Sequence, residues 1–437
     1  MKTILSLLIL FVAFSEAGAQ RRLALSDAES LAIDKNRDLQ VARLEAAKTD
    51  QQVREAKGYA LPLIAGSAQY QYYPLRQVSF LPGSFVGLGD DQLATFRVGG
   101  SSAFLGGVTI SQPLLQPGIK AGIRAAGLAR DISDQAISET RARVVTDVRK
   151  AYLLVLITQE QLRLQQQSIQ RNEQALKDAR ALLAQGRASR VDTLRAYVTI
   201  ENLRPAVIRL TNEVDIAGTV LKRVIGLDDS DVLDLTDSLR YEENPIEEAD
   251  FYSQAIQSRP EIHRLELTEK LNQAQVSIRE ADRRPKLSAV GLVQSQAQTN
   301  RFQWNSWPVS SFVGLQLNVP IFSGFQQLAR ISQAEITRQQ TATQLANLKE
   351  IVRAEVKIAR SKAEEARLRI RTQAQTVSVA ELGYRITRDR FRQGIASRLD
   401  VTDAELSLTQ ARANYLQAVH DFLNATYELD RATGRVK

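Results

Sequence analysis

Gln185-Gly186-Arg187-Ala188-Ser189-Arg190-Val191-Asp192 returns later in the chain as Gln393-Gly394-Ile395-Ala396-Ser397-Arg398-Leu399-Asp400. The offset stays constant as far as Arg223-Val224-Ile225-Gly226 and Arg431-Ala432-Thr433-Gly434. A second pair of segments, Asp38 to Pro62 and Glu261 to Pro285, keeps an offset of its own. A duplication this long means two structurally equivalent halves, so function must be read from both copies together. Within each octapeptide, Gly suits a helix C-terminus that needs positive φ, and Ser suits the N-cap of the next helix. Those two roles account fully for the Gly and the Ser, before any function is assigned.

Outward from the turns, a helical pattern precedes each for about 70 residues, following Pro113 and Pro320. At 1.5 Å per residue such a helix is on the order of 100 Å long, more than one globular core needs. The returning helices run from Ser189 to Gly226 and from Ser397 to Gly434. In the second, Ala404, Leu408, Ala411, Tyr415, Ala418, Phe422, Ala425, Leu429 and Ala432 are spaced four and three in turn. The corresponding positions Ala196, Ile200, Leu203, Val207, Leu210, Val214, Ala217, Leu221 and Val224 are all apolar. A sustained 3.5-residue period demands a neighbouring helix in coiled-coil packing. Leu406, Ala413, Leu416, Leu423 and Tyr427 form a second stripe, which implies a neighbour on each side, as in a closed ring of helices. A plain long helical bundle is the alternative. Each half also opens with a helix, Ser26 to Tyr59 and Glu247 to Arg283, closed by Pro62 and Pro285.

Short segments of period two lie between these helices. Ile64, Ala68, Tyr70 and Tyr72 alternate with Ala65, Ser67, Gln69 and Gln71; Val108 and Ile110 with Thr109 and Ser111; Val313, Leu315, Leu317 and Val319 with Gln316 and Asn318. Each has one apolar and one polar face. The segment Ser288 to Gln296 is weaker. Four strands cannot close a barrel, and an open sheet edge is not tolerated in lipid. The strands form either a small soluble sheet or a barrel shared between copies. Aromatic residues favour the barrel. Tyr70, Tyr72, Tyr73, Phe80 and Phe85 cluster near one loop, and Phe302, Trp304, Trp307 and Phe312 near another. Phe322 and Phe325 mark the opposite end, and rings at both interfaces are the expected membrane anchors.

Composition sets an address. Lys2, the apolar run Ile4 to Phe14 and Ala17-Gly18-Ala19 read as a signal peptide over residues 1–19. No later run approaches the roughly 20 apolar residues of a transmembrane helix. The net charge is +8, but Lys and Arg are dispersed among Asp and Glu, which argues against nucleic acid. Between Asp228 and Asp250 ten acidic residues face one Arg. The expected organisation is a first repeat over 20–226 with a strand pair at about 63–112 and a turn at 186–189. An acidic equatorial linker follows over 227–250. The second repeat covers 251–437, with strands at about 287–320 and a turn at 394–397.

With the repeat, strand pairs and turns in hand, the chain resembles the TolC-type outer-membrane efflux proteins over essentially its whole mature length. The matching segments are Asn36-Arg37-Asp38-Leu39 through Pro62, Arg259-Pro260-Glu261 through Pro285, and the two Gln-Gly turns followed by Asp and a heptad helix. The resemblance implies a mainly α protein with a membrane β-barrel: a homotrimer whose four strands per protomer give a 12-stranded barrel and whose helices give a 12-helix periplasmic tunnel. It implies a passive outer-membrane channel of a tripartite efflux pump or type I secretion system in a Gram-negative bacterium. Its partners are a periplasmic adaptor protein, an inner-membrane pump and outer-membrane lipid. The adaptor-docking tips then fall on Gly186, Arg187, Ala188 and Ser189 and on Gly394, Ile395, Ala396 and Ser397. The acidic periplasmic entrance falls on Asp400 and Asp403, with Asp192 from the first copy. Asp near a helix N-terminus also complements the helix dipole, and that reading stands beside the functional one. One departure matters. The family's constricting Arg is Ala396 here and its Tyr partner is Phe391, which leaves Arg398, Arg390 or Arg392 as substitutes.

No phosphate-binding loop, dinucleotide fingerprint or zinc spacing is present, so neither an enzyme nor a cofactor is expected. His263 and His420 lie in different copies. One Met and no Cys weigh against a soft-metal relay. The remaining alternative to a channel is a periplasmic or surface scaffold of long helical hairpins.

Overall fold

The computed structural model describes residues 21–87, 89, 91–241, 250–301 and 307–436. The expected signal peptide, the stretch 242–249 of the acidic linker, Phe302 and Trp304 lie outside the described residues. The chain runs β1 (Arg21–Leu23), α1 (Leu25–Lys35), α2 (Arg37–Gly58), β2 (Leu63–Tyr72), β3 (Val78–Pro82), β4 (Leu93–Arg97), β5 (Ser102–Leu115), α3 (Pro117–Ala184) and α4 (Arg190–Ile225). The second half runs β6 (Leu233–Leu235), α5 (Phe251–Ser258), α6 (Pro260–Ala281), β7 (Lys286–Thr299), β8 (Val309–Asn318), α7 (Gln326–Arg392) and α8 (Arg398–Ala432). The described elements divide into two compact units, one of those within 21–45, 134–264 and 345–436, the other of those within 46–133 and 265–344. The long helices α3 and α7 contribute a segment to each.

The second unit holds a four-stranded antiparallel sheet in the order β2-β5-β7-β8. Its register sorts the side chains. One row joins Ile64, Ile110, Gly291 and Val313, and the next on the same face joins Gly66, Val108, Val293 and Ser311. Extended along the strands, this face carries Tyr70, Phe104, Leu315 and Leu317 and no charged residue. The other face carries Gln69, Gln71, Thr109, Ser111, Gln294, Gln296, Gln298 and Gln316. The segment after Leu287 is the interior strand β7 and is 14 residues long. Its alternation is blurred because Gly291 and Ala289 sit on the apolar face.

Several boundaries depart from expectation. Each opening helix is broken in two. Asn36 stands at φ −62°, ψ 128° between α1 and α2. Its Oδ1 accepts from the backbone N–H of Asp38 at 2.9 Å and of Leu39 at 3.2 Å, and its Nδ2 donates to the Val224 carbonyl at 2.8 Å. At the equivalent place Arg259 is extended at φ −77°, ψ 121°. There Pro260 forbids the helical conformation to the residue before it and suits the first helical position itself. The same break is thus made by a side-chain cap in one copy and by proline sterics in the other. The long helices begin at Pro117 and Gln326, later than Pro113 and Pro320 suggest. Pro113 lies inside β5 at a register shift, where a missing N–H is tolerated. A β3–β4 hairpin and a parallel β1–β6 pair are additional to the four strands. Three-residue strands are too short to show a period.

The first unit is built on the expected seams. Ala196, Ile200, Leu210, Ala217 and Leu221 are buried on α4, and Leu408, Ala411, Ala418, Phe422, Ala425 and Leu429 on α8. Within this unit Leu23, Ala28, Ala32, Val148, Tyr152 and Leu221 form one cluster. Tyr152 fixes β1 by donating to the Leu23 carbonyl at 2.9 Å, and its hydroxyl also bonds Asp237 Oδ2 at 2.9 Å.

Candidate functional site: two helical turns and a buried charged cluster

The two Gln-Gly turns have the same construction. At Gly186, φ is +71°, and at Gly394 it is +76°, a conformation that glycine adopts without the Cβ penalty. Arg187 N–H bonds the Leu182 carbonyl and Gly186 N–H the Leu183 carbonyl, each at 2.9 Å. In the second turn Ile395 N–H bonds Arg390 and Gly394 N–H bonds Phe391, at 2.9 and 2.8 Å. This is the paired bonding that satisfies the last carbonyls of a helix ending in a left-handed residue. Three residues later the next helix starts at a reciprocal cap. Asp192 N–H bonds Ser189 Oγ at 3.2 Å, and Ser189 N–H bonds Asp192 Oδ2 at 3.1 Å. The second copy repeats it, with Asp400 N–H on Ser397 Oγ at 3.1 Å and Ser397 N–H on Asp400 Oδ2 at 2.8 Å. The turns touch each other: Arg187 Nη2 donates to the Gln393 carbonyl at 2.7 Å.

The predicted entrance residues fall into two groups. Asp192 and Asp400 are cap acceptors, and bonds from the Ser397 N–H and hydroxyl hold the Asp400 carboxyl below the usual carboxylate range. Asp403 is exposed one turn further along α8, and its carboxylate makes no hydrogen bond or ion pair among the described residues. Phe391 is buried with Ala179, Leu182 and Val401, and Ala188 and Ala396 pack on the same cluster. Of the three candidate arginines, Arg392 pairs with Asp178 at 3.0 Å and Arg390 is exposed. Arg398 is only 3% exposed.

Arg398 belongs to a cluster that periodicity did not mark. Glu405, 7% exposed, accepts from Ser168 Oγ at 2.8 Å, Arg171 Nη2 at 3.0 Å and Thr409 Oγ1 at 2.9 Å. Arg398 Nη2 donates to Asn172 Oδ1 at 3.2 Å, and Asn172 Nδ2 donates to the Ser168 carbonyl at 3.0 Å. Nε and Nη1 of Arg398 are buried without a partner among the described residues. Burial lowers the Arg398 pKa and raises that of nearby Tyr384. The sequence signal was available but faint: two charged residues one heptad apart on the same side of the seam, with a Ser-x-x-Arg-Asn run on the facing helix.

The membrane-interface candidates among the described residues are all in the second unit. Tyr70, Tyr72 and Tyr73 are exposed, and Tyr70 lies 4.7 Å from Phe104, centroid to centroid. Trp307 meets Phe104 at 5.6 Å. At the end of β8, Phe322 and Phe325 are exposed and meet edge to face at 5.6 Å. Among the described residues there is no group of side chains that could hold a metal ion, and no helix is long and apolar enough to cross a membrane.

Known proteins share this architecture. The chain is 23% identical over 411 residues to the proteases secretion protein PrtF of Dickeya chrysanthemi, covering 92% of this chain and 86% of PrtF. It is 22% identical over 311 residues to the alkaline protease secretion protein AprF of Pseudomonas aeruginosa, covering 70% of this chain and spanning 64% of AprF. The open-state MtrE outer membrane channel of Neisseria gonorrhoeae superposes with a TM-score of 0.76 at 19% identity, covering 94% of this chain and 88% of MtrE. The model of the outer membrane efflux protein family matches residues 29–227 and 251–435. The chain belongs to the outer membrane efflux protein family.

Proposed function

We propose that this chain is the passive outer-membrane channel of a tripartite efflux pump or type I secretion system, working as a homotrimer. The observation that carries the reading is the sheet. One face is uncharged and mostly apolar, the other mostly polar, with Gln, Ser and Thr beside Leu105, Val290, Leu292 and Phe312, and the edges β2 and β8 are unpaired among the described residues. Each unpaired backbone group facing lipid costs several kcal/mol, so a membrane sheet must close. Four strands are too few; three copies give twelve, apolar outward and polar inward. The rings Tyr70, Tyr72, Tyr73 and Trp307 at one end and Phe322 and Phe325 at the other fit the two interfaces.

The helix α3 is 68 residues long, a rise of roughly 100 Å. That length suits a periplasmic tunnel whose tips, Gly186 to Ser189 and Gly394 to Ser397, meet an adaptor protein fed by an inner-membrane pump. AprF and PrtF, by name, serve protease secretion, which supports protein cargo; the family as a whole is named for efflux.

Asp403, exposed and unpaired among the described residues, is the carboxylate best placed to act on passing ions, with Asp400 and Asp192 on the caps nearby. Like charges about 10 Å apart repel by roughly 1.7 kcal/mol at an effective dielectric of 20, so a threefold ring at a constriction attracts cations. The test is light scattering of the detergent-extracted protein followed by planar-bilayer recording in a salt gradient. The expected results are a trimer, a cation-selective reversal potential, and a clear loss of that selectivity in Asp403→Asn, which leaves both caps intact. A monodisperse, non-conducting monomer would favour a helical scaffold instead. An unchanged reversal potential in Asp403→Asn would remove it from the entrance.

A further inference from the structure

Just below the sheet, α3 and α6 pack side by side and present two different grooves. The first, a cavity of about 800 Å³, is lined on α3 by Gly118, Gly122 and Ala126 and reaches Leu63, Ser111 and Ser288. Those three belong to the polar face of the sheet by register, so this groove opens on the lumen side of the proposed barrel. The second, of about 390 Å³, is lined by Lys120, Ala121 and Arg124 on α3, by Lys270 and Ala274 on α6 and by Arg284 just beyond it. At 100° per residue the two sets on α3 point in roughly opposite directions, as do the two sets on α6. The second groove therefore opens on the side of the apolar, uncharged face.

Its chemistry fits a headgroup. The floor is small and apolar, with Ala274 and Ala281 buried. The rim carries four exposed cations, of which none makes an ion pair among the described residues; Glu280 is the one acid in the lining. The first turn of α3, at Pro117, borders the groove and adds the positive end of a 68-residue helix. Lys120 and Arg124 lie five and nine residues after the last residue of β5, about 8 and 14 Å of helical rise, which is headgroup depth beneath a strand that ends at the hydrocarbon boundary. The groove also lies under the inner strands β5 and β7, away from the edges β2 and β8 where copies would join.

We propose that this groove binds the phosphate-bearing headgroup of an anionic phospholipid in the periplasmic leaflet, with the acyl chains lying on the apolar sheet face above. The inference rests on the barrel reading given under Proposed function. Basic pockets beside membrane segments are the expected form of anionic-lipid recognition.

The experiment is native mass spectrometry of the detergent-extracted trimer titrated with cardiolipin, phosphatidylglycerol or phosphatidylcholine, with inorganic phosphate as competitor. Lys120→Gln/Arg124→Gln is compared with Lys177→Gln/Arg180→Gln, which removes the same charge from the same helix more than fifty residues further along it. Wild type should bind cardiolipin and phosphatidylglycerol in preference to phosphatidylcholine, with millimolar phosphate failing to displace them. The groove double variant should lose roughly tenfold or more in affinity, and the distant pair should bind as wild type does. Equal binding of phosphatidylcholine, equal loss in both double variants, or displacement by free phosphate would each overturn the lipid assignment. Bilayer conductance of the same preparations separates the two levels. A conducting wild-type trimer without anionic-lipid preference sinks this inference alone, whereas a chain that neither trimerises nor conducts sinks the barrel and the inference together.

Discussion

The two turns carry nearly the same eight residues, yet the helices that leave them are held in different ways. On α4, Arg190 is exposed and Tyr197 is 51% exposed, and the helix is seated by Ala196 and Ile200 against Leu176. At the equivalent positions on α8, Arg398 and Glu405 are both buried and tied to Ser168, Arg171 and Asn172 of α3. A duplicated sequence therefore produced one return helix fixed by apolar packing and one fixed partly by charge. An apolar seam loses contacts gradually as helices slide. A buried ion pair is held only in one geometry, because misalignment leaves a desolvated charge without its partner. The second copy is thus the one whose position relative to α3 is specified sharply.

The largest expected effect breaks that contrast directly. Glu405→Ala leaves the partly buried Arg171 with only its bond to Thr409 and removes the acceptor of Ser168 and Thr409. Breaking a buried pair in this way costs about 3–5 kcal/mol. The matched substitution in the first copy, Tyr197→Ala, truncates a half-exposed ring and should cost under about 1 kcal/mol. Amide exchange in the segments 165–175 and 398–412 reads the local opening energy, so trimer dissociation does not confuse the comparison. Equal protection in the two variants would mean that the charged cluster contributes nothing beyond the seam.

Next in size are the caps, where the copies should behave alike. Ser189→Ala and Ser397→Ala each remove one reciprocal cap and should each cost about 1 kcal/mol. The second has a pH signature as well. Asp400 is held below its ordinary pKa in the folded state, so its contribution is complete at neutral pH and is lost as pH falls through that depressed value. Ser397→Ala should therefore flatten the acid side of the protection-versus-pH curve for residues 398–404. A curve parallel to that of wild type would show that the Ser397 hydroxyl adds nothing to the Asp400 shift and that the Ser397 backbone N–H alone holds it.

What the sequence revealed, and what it hid, follows the same division. The glycine turns, the Ser caps, both seams and the alternating strands were legible because each is a local rule repeated: positive φ, a hydroxyl acceptor, period 3.5, period two. The helix breaks at Asn36 and Arg259 were missed. One depends on a bond to Val224 nearly two hundred positions away, and the other was hidden by treating Pro260 as an ordinary helical residue. The β1–β6 pair depends on Tyr152 and Asp237, again far along the chain. The Arg171–Glu405 cluster needed knowledge of which face of α3 meets α8. Arg398 was named as a substitute for the family's constricting Arg, and its burial beside Val401 and Glu405 on one helical face could not be read without knowing what that face meets.

The smallest expected effect is the one that tells most about the charged cluster. Among the described residues Arg398 makes a single side-chain bond, to Asn172, while its Nε and Nη1 stay buried and unpartnered. Desolvating a guanidinium with so few donors satisfied is costly, and burial correspondingly lowers its pKa. Replacing it with an unbranched apolar side chain of similar length removes that cost and keeps most of the packing. Arg398→Met should therefore lie within about 1 kcal/mol of wild type, or be more stable, although the residue is almost fully buried. Arg190→Met, on the exposed side of the other copy, should also lie near zero, for the different reason that nothing is buried there. The asymmetry predicted is between Arg398 and Glu405, two charged neighbours in one cluster: removing the carboxylate strands a cation, whereas removing this cation strands only the Asn172 amide oxygen. A loss of 3 kcal/mol or more in Arg398→Met would show that Arg398 neutralises Glu405 through the cluster's field. The return helix α8 would then be held by a mutually dependent triad of Arg171, Glu405 and Arg398.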